Sequence, residues 1–472
     1  MDQQRHSWAL FALSCGVFMT AIDATVVNVA LPVLGHEFHI GDSALVWIVN
    51  AYLSPLGGFL LLSGRLGDLL GRRRLFISGV LLFTLASLGC GVSTTPALLL
   101  VSRAAQGLAG AAIWTISMAL VIDLFPDNQS RARALGVFAF VGAAGGSAGV
   151  LLGGVLTGLL SWHWIFYINV PVGAVVCYLC VRLIPPDAVR KSQERLDVAG
   201  ALTITAALTL ANLAVTDANQ SGLLDFLPLI SGPAAMGLAL LFVVVESRAS
   251  HPMIPTGLLR LRNFAAGNVA GALLSIAMLT WFFVSTLYLQ SVLHLTPFKV
   301  GLSFLPSTLL DAAISIAVVP ALIPRYGLRP LTITGLVSAC LGLLWFARAP
   351  VDGSVLWDVI PPMLLLGFGT GMAYNPLLIA SLRGVAPDRA GVVSGTLSAS
   401  WTLGGTLGLT LLMRAATERT QSLNFSGVSA PIALNRGYQL SFAVAAMTVM
   451  VAALVSGFCL RAESEALSHE PA

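Results

Sequence analysis

The sequence predicts an all-α membrane protein with fourteen transmembrane helices. Of its 472 residues, 57% are hydrophobic and only 10% are charged, whereas soluble domains carry about 25% charged residues. The mean hydropathy is +0.87, and apolar runs recur that are long enough for a helix of roughly 20 residues, the length that crosses a bilayer. Membrane β-strands would be shorter and would alternate in polarity. The chain is therefore predicted to be helical throughout its membrane part.

The predicted spans divide the chain into two halves. We expect a six-helix bundle over residues 1–190, an inserted helix pair over 191–250 and a second six-helix bundle over 251–472. The fourteen spans are 8–32, 45–64, 75–93, 97–122, 134–160, 164–184, 197–215, 223–245, 264–290, 300–323, 331–348, 356–382, 391–413 and 438–460.

The basic residues predict the orientation. If the N-terminus is cytoplasmic, most of the 25 Lys and Arg residues lie on the cytoplasmic side. Those that fall outside are Lys299, Arg348, Arg414, Arg419 and Arg436. Cytoplasmic loops carry an excess of Lys and Arg, so both termini are expected in the cytoplasm.

Two loops indicate an internal repeat. The loop after the second span contains Gly71, Arg73 and Leu75 in the same spacing as Gly327, Arg329 and Leu331 after the tenth span. Pro-Asp also recurs, at positions 126–127 and 387–388. The two repeats are offset by 256 residues (71 to 327) and 261 residues (126 to 387). Such offsets fit two six-helix halves separated by an inserted helix pair.

The loop between the second and third spans has a specific charge pattern. It contains Gly64, Asp68, Gly71, Arg72 and Arg73 in the spacing G-x-x-x-D-x-x-G-R-R. Glycines permit a tight turn and the cations are available for pairing. The motif is either a positive anchor or a charge latch that joins two helices in one conformation and releases them in another. We favour the latch, which would gate the cytoplasmic side.

This loop resembles that of the major facilitator superfamily, and further segments resemble its fourteen-helix drug:proton antiporter branch. The segments are 22–32 on the first span, Arg103 to Gly107 on the fourth, 145–154 with 161–171 around the fifth and sixth, and 387–395 with 403–408 in the second half. The resemblance covers nearly the whole chain. It implies the major facilitator fold and proton-coupled export of lipophilic, cationic or neutral small molecules such as drugs by alternating access.

The fifth-span motif departs from the family pattern. Gly145, Gly149, Gly153 and Gly154 provide small-xxx-small spacing, which lets helix backbones approach closely. The family usually has proline after the second of these glycines, whereas this chain has Val150. The proline kink is therefore absent, which puts the antiport role of this motif in doubt.

Charged residues at bilayer depth are costly and usually face a cavity or a partner. Only Asp23, Arg103 and Asp311 lie well within the predicted spans. At about 1.5 Å per residue, Asp23 and Arg103 fall at comparable depth, and Asp311 lies near the midplane. We expect all three to take part in proton coupling. The alternatives are a static Asp23–Arg103 ion pair and a structural hydrogen bond at Asp311.

Several side chains are assigned to a substrate cavity, which needs aromatic walls and a few polar groups. They are Thr25, Asn28, Trp114, Trp281, Tyr374 and Asn375. Trp114 stands where the family usually has proline, eleven residues after Arg103, so the two share a helix face. For each aromatic residue the alternative is ordinary packing.

Other classes of protein are disfavoured. The net charge of +4 is too small for a nucleic-acid binder. The six cysteines lie in or beside apolar runs and give no disulfide framework. The sequence contains no P-loop, no His-Glu metalloprotease motif and no nucleophile elbow. No enzyme activity, cofactor or metal is therefore expected, and a proton gradient would supply the energy for transport.

We therefore expect a monomeric exporter in the bacterial cytoplasmic membrane, whose partners are lipid, protons and a small-molecule substrate. The alternatives are a narrow exporter of one metabolite or antibiotic, a symporter of the same fold, and a membrane receptor without transport activity.

Overall fold

A computed structural model of the chain describes residues 2–125, 128–186, 226–248, 261–383 and 390–460, together with most of 200–214. Within these residues the protein is helical. Nine helical segments there are long and apolar enough to span a membrane, and helical residues occur in each of the predicted spans. The all-α membrane fold is confirmed, whereas the count of fourteen spans stays a prediction.

The chain forms two compact units. Unit 1 comprises residues 1–209 and 234–253, and unit 2 comprises 210–233 and 254–472. The boundary at 233–234 lies inside helix α8 (Phe226–Arg248). The helices of unit 1 that precede it are α1 (Asp2–Phe38), α2 (Asp42–Leu70), α3 (Arg72–Gly91), α4 (Pro96–Leu124), α5 (Asn128–Leu159), the short α6 (Trp164–Tyr167) and α7 (Asn169–Leu183).

Unit 2 contains the helices from α9 onward. They are α9 (Arg262–Leu287), α10 (Pro297–Ala313), α11 (Val319–Tyr326), α12 (Leu328–Phe346), α13 (Ile360–Leu382), α14 (Ala390–Phe425) and α15 (Ala430–Cys459). A π-helical turn, 314–318, joins α10 to α11, and two more follow α9 and precede α13.

The two units repeat one packing pattern. In unit 1, α1 packs on α5 and α7, and α4 packs on α2 and α3; in unit 2, α9 packs on α14 and α15, and α13 packs on α10 and α12. The predicted loop repeat is also present, because Gly71 and Gly327 each separate two helices and have φ angles of 98° and 74°. Such positive φ values favour glycine.

The repeat extends to the arginines that follow these glycines. Arg73 Nη2 donates to the carbonyl of Val181 in the last turn of α7, at 2.6 Å. Arg329 Nη2 donates to the carbonyl of Gly457 in the last turn of α15. Each arginine therefore binds the carboxyl end of the sixth long helix of its own unit, where free carbonyls and the helix dipole favour a cation.

The contact between the first and fifth helices of each unit depends on paired large and small residues. In unit 1, Gly145 packs against Phe18; in unit 2 the sizes are exchanged, and Trp401 packs against Gly271. In each unit one aromatic ring fills the space beside a glycine on the facing helix. The interface between the two helices is therefore close-packed in both units.

The predicted glycine stripe of α5 lies against α1. A Cβ atom at Gly145, Gly149 or Gly153 would overlap atoms of α1, and Gly154 is also buried. The helix is continuous through Val150, so close approach there needs no proline kink. Thr25 Oγ1 completes the contact by donating to the carbonyl of Gly146 at 2.9 Å.

We expect Gly149→Ala to destabilise unit 1 by about 1–3 kcal/mol, because the new methyl group would overlap Thr25 Oγ1 and the carbonyl of Ile22. Gly146 on the same helix is the matched control, since a Cβ there meets no atom within 4 Å. Gly146→Ala should therefore change stability by less than about 1 kcal/mol. Thermal unfolding of the purified variants in detergent measures both, and equal losses would contradict this packing.

Candidate functional site

A fully buried ion pair lies inside unit 1. Arg103 on α4 donates from Nη1 to Oδ2 of Asp23 on α1, and both side chains are 0% exposed. The structure thus brings together two of the three charged residues that the sequence places within the membrane. Charges removed from water need a partner and further hydrogen bonds to offset the loss of hydration, and the neighbouring helices supply these bonds.

Two carboxamides bind the other oxygen of Asp23. Gln106 Nε2 on α4 and Asn169 Nδ2 on α7 each donate to Oδ1 at 3.0 Å. The same two nitrogens lie 2.8 and 3.2 Å from Oγ of Ser87 on α3. The hydrogen-bond network around this carboxylate therefore contains side chains from α1, α3, α4 and α7.

Arg103 has further contacts besides Asp23. Its Nε donates to the carbonyl of Ile48 on α2 at 3.1 Å, and its Nη1 also lies 3.0 Å from Gln106 Oε1. The guanidinium carbon lies 4.4 Å from the centre of the Tyr52 ring, a cation–π geometry. The Nη2 atom is buried without a hydrogen-bond partner among the described residues. The two N–H groups of this nitrogen thus have no acceptor in the described part of the chain.

Local sequence features place Arg103 at this point. Helix α4 begins after Thr95, whose side chain accepts from the amide of Leu98, with Pro96 in the first position. Serine, threonine and proline are preferred at such helix starts. One turn beyond Arg103, a Cβ at Gly107 would overlap the carbonyl of Tyr52. The glycine therefore brings α2 close enough to α4 for the Ile48 carbonyl to reach Arg103.

The loop motif joins three helices of unit 1. Gly71 separates α2 from α3, and Gly64 lies close to Thr115 of α4. Arg72 Nη1 lies 2.9 Å from Asp123 Oδ2 near the end of α4, with side chains 22% and 38% exposed. The Asp68 side chain, to which the sequence assigns the other half of the latch, lies outside the described residues. The partner of Arg72, Asp123, thus lies outside the loop motif itself.

Asp311 lies on α10 beside α13. Its Oδ1 accepts from Thr370 Oγ1 at 2.9 Å. The π-helical turn 314–318 follows, and Ser315 in it lies 3.4 Å from the carbonyl of Gly371. Such π-turns occur frequently at functional sites. Asp311 is therefore a half-buried acid, and among the described residues its carboxylate accepts from one neutral hydroxyl group.

The cavity residues predicted for unit 1 have packing contacts. Asn28 is buried, and Thr25 bonds α5 as described. Trp114 is half-buried, has edge contact with Phe138, and lies beside Gly142. These contacts agree with packing and leave the substrate role a prediction.

The cavity residues predicted for unit 2 fall in two places. Trp281 is buried and stacks on Phe282, which in turn stacks on Phe304. Tyr374 is 38% exposed and has edge contact with Trp401, whereas the neighbouring Asn375 is half-buried. The indole nitrogen of Trp281 is buried without a hydrogen-bond partner among the described residues.

An apolar cavity of about 170 Å³ lies next to the ion pair. It is bounded by the end of α1 and the starts of α2 and α4, and Phe38, Trp47 and Leu99 are among its lining residues. Ile48 belongs to the lining and also accepts the hydrogen bond from Arg103. A pocket for an apolar group therefore lies within one helix turn of the charged network.

Sequence reasoning missed most of the residues that bind the ion pair. Neutral polar residues are common in membrane helices, so the sequence does not single out Ser87 or Tyr52 as functional. The acceptor at Ile48 is a backbone carbonyl, which every residue has. Gln106 and Asn169 both lie in segments that resemble the family motifs, which was the only available indication. Among the described residues no group of three or more His, Cys, Asp or Glu side chains could hold a metal ion.

Comparison with known proteins agrees with this architecture. Residues 13–409 match the sequence profile of the Major Facilitator Superfamily. The chain is 35% identical to the cephamycin export protein of Amycolatopsis lactamdurans, over 89% of this chain and 86% of that protein. It is 32% identical to the puromycin resistance protein of Streptomyces alboniger, over 98% and 93%.

Solved structures share the fold at low sequence identity. An autoinhibited peptide transporter of the POT family has a TM-score of 0.66 and 17% identity, with 99% of each chain covered. A bacterial homologue of the human lysosomal transporter Spinster has a TM-score of 0.66 and 16% identity, with 97% of each chain covered. The helical membrane fold, the extent of the family match and these relatives lead to one conclusion: the chain belongs to the Major Facilitator Superfamily, a family of membrane transporters and not of enzymes.

Proposed function

We propose that the protein exports lipophilic, cationic or neutral small molecules in exchange for protons, by alternating access in a fourteen-helix form of the fold. The observation that carries the proposal is the fully buried Asp23–Arg103 pair, whose carboxylate is also bound by carboxamides from α4 and α7. Burial favours the neutral acid, whereas the arginine and the amide donors favour the carboxylate. A carboxyl group under such opposing influences can exchange a proton when its surroundings change.

Asp311 is the proposed second proton carrier. It lies in the other unit and has a neutral partner, Thr370, instead of an arginine. Because no cation of the described residues is bonded to it, Asp311 can bind and release a proton without first separating an ion pair. Arg103 modulates Asp23, and the loop with Arg72 and Arg73 gates the cytoplasmic side, where we place both termini.

In the proposed cycle, substrate binding and proton binding compete. Substrate and proton each favour a different conformation, so each lowers the affinity for the other by the same factor. Export in this direction draws on the gradient across the bacterial cytoplasmic membrane, where a potential of 100 mV supplies about 2.3 kcal/mol per net charge moved. The protein would act as a monomer.

The substrate class rests on the relatives and on the cavity. Relatives of 32–36% identity are named for cephamycin export, puromycin resistance and lincomycin resistance, and a further relative is named a multidrug resistance protein. The cavity beside Arg103 is lined by apolar and aromatic side chains, which suits a lipophilic group. The names favour a second candidate as well, the narrow export of one antibiotic.

Transport in everted membrane vesicles tests these proposals. Vesicles containing the protein, with an acidic interior, should accumulate several unrelated dyes and antibiotics, and Asp311→Asn should reduce that accumulation. Accumulation of a single antibiotic would favour narrow export. A substrate flux that does not depend on the proton gradient would contradict antiport, and no flux of any compound would favour a receptor.

A further inference from the structure

Among the residues that the structure describes, every side-chain atom that bonds Asp23 is a donor. Arg103 binds Oδ2, and Gln106 and Asn169 bind Oδ1. An ionised carboxylate accepts from all three, but a protonated one must donate its O–H to an acceptor, and arginine has none. The arrangement therefore fits the ionised acid, and proton binding requires that one neighbour present an acceptor.

The carboxamide of Gln106 cannot turn to present its oxygen to Asp23. Its Oε1 lies 3.0 Å from Arg103 Nη1 and 3.3 Å from Cys90 Sγ. If its carboxamide turned by half a rotation, an NH₂ group would face the donor-only guanidinium. The bond from Arg103 thus keeps the Gln106 oxygen in place and its nitrogen toward Asp23.

Asn169 is free of that constraint. Its Nδ2 lies 3.0 Å from Asp23 Oδ1 and 3.2 Å from Ser87 Oγ. Half a turn about the Cβ–Cγ bond would exchange its nitrogen and oxygen. Both partners could then donate, because a protonated Asp23 carries an O–H and the Ser87 hydroxyl is a donor as well as an acceptor. The same two distances suit either orientation.

We propose that Asn169 is the positioning residue that allows Asp23 to hold a proton. The proton binds Oδ1, the oxygen without the arginine; Asn169 turns its carbonyl toward the new O–H, and Ser87 donates to that same carbonyl. On release of the proton the carboxamide turns back. This inference rests on the proposed function of Asp23. The other titratable or charged side chains that face Asp23 among the described residues are Arg103, Tyr52 and Cys90.

The pH profile of transport tests the role of Asn169. Asn169→Leu keeps the size of the side chain but can neither donate nor accept. Hydrogen bonds to ionised groups are about twice as strong as neutral ones, so the ionised form of Asp23 loses more. The protonated form loses its acceptor at the same time, so we expect the midpoint of the profile to rise by only about 0.5 to 1 unit. Loss of a donor to the ionised form alone would raise it by about 1 to 2 units.

The matched control is Asn435 on α15. It is a buried asparagine on the sixth long helix of unit 2, and its Nδ2 donates to the carbonyl of Ala349 at 3.0 Å. Asn435→Leu should lose a similar amount of stability with no shift of the midpoint. An unchanged midpoint in Asn169→Leu, or a move to lower pH, would overturn the proposal. A rise of clearly more than about one unit would overturn it too, because Asn169 would then stabilise only the ionised acid.

A second variant and a second measurement cover the case in which Asn169→Leu does not fold. Asn169→Asp places another carboxyl beside Asp23, so its midpoint should move to higher pH by more than one unit, since like charges disfavour ionisation. Infrared titration of the purified protein follows the protonated carboxyl band that Asp23→Asn removes. If neither Asn169 variant changes that band or its midpoint, Asn169 has no such role. If instead Asp23→Asn leaves transport and its pH dependence unchanged, while the Asn169 variants still shift the titration of the Asp23 band, the proposed function fails and the role of Asn169 stands.

Discussion

Arg103→Leu is expected to lower the free energy of unfolding by about 3–5 kcal/mol. Asp23 would remain at 0% exposure without a counter-charge, and breaking a buried ion pair from one side is strongly destabilising. The cation–π contact with Tyr52 and the bond to the Ile48 carbonyl would be lost as well. Denaturant titration of the purified protein measures the loss.

A double variant separates the pair from its surroundings. When both partners of a buried ion pair are replaced together, the desolvation cost of both charges disappears. We therefore expect Asp23→Asn with Arg103→Gln to recover more than half of the stability that Arg103→Gln alone loses. Arg414→Leu is the control, because Arg414 pairs with the exposed Glu418 one turn along α14, and such pairs contribute at most about 1 kcal/mol. Additive losses in the double variant would show that the two charges do not interact.

Asp23→Asn is expected to abolish the use of the proton gradient through this site and to leave substrate binding in place. One pH unit is worth about 1.4 kcal/mol per coupled proton, or a factor of ten in substrate accumulation. In proteoliposomes with a gradient of one pH unit, accumulation by Asp23→Asn should thus fall at least tenfold below that of the parent protein. Exchange of labelled for unlabelled substrate should continue, because it moves no net proton.

The control for this variant is Glu418→Gln, which removes an exposed acid from unit 2 and should accumulate substrate as the parent does. Loss of exchange as well as accumulation in Asp23→Asn would indicate that Asp23 binds substrate directly.

Much of the fold follows from the sequence because hydrophobicity alone determines where a helix can cross lipid. The repeat was also predictable: Gly71 and Gly327 occupy positions where a positive φ favours glycine, and the arginines two residues later bind equivalent helix ends. The exchange of ring and glycine between Phe18–Gly145 and Trp401–Gly271 was not predictable. It depends on which residues face each other across two helices, and composition does not report that.

The site was predictable only where charge is conspicuous. Asp23 and Arg103 could be found because charge is rare at membrane depth, and helix geometry placed them at similar height. Ser87 and Asn169 could not be found in this way, because a neutral side chain in a membrane helix is not costly enough to demand a function. Asp123, the partner of Arg72, could not be predicted because it lies beyond the loop motif, near the end of α4.

The most direct test of the account is the number of protons released when substrate binds. Purified protein in weakly buffered detergent solution, held near the midpoint of the transport pH profile, should release protons on addition of a transported dye. Glu418→Gln should release the same number and Asp23→Asn measurably fewer, with the dye still bound in each case. If Asp23→Asn binds the dye and releases as many protons as the parent, Asp23 does not carry the exchanged proton and the central claim is wrong.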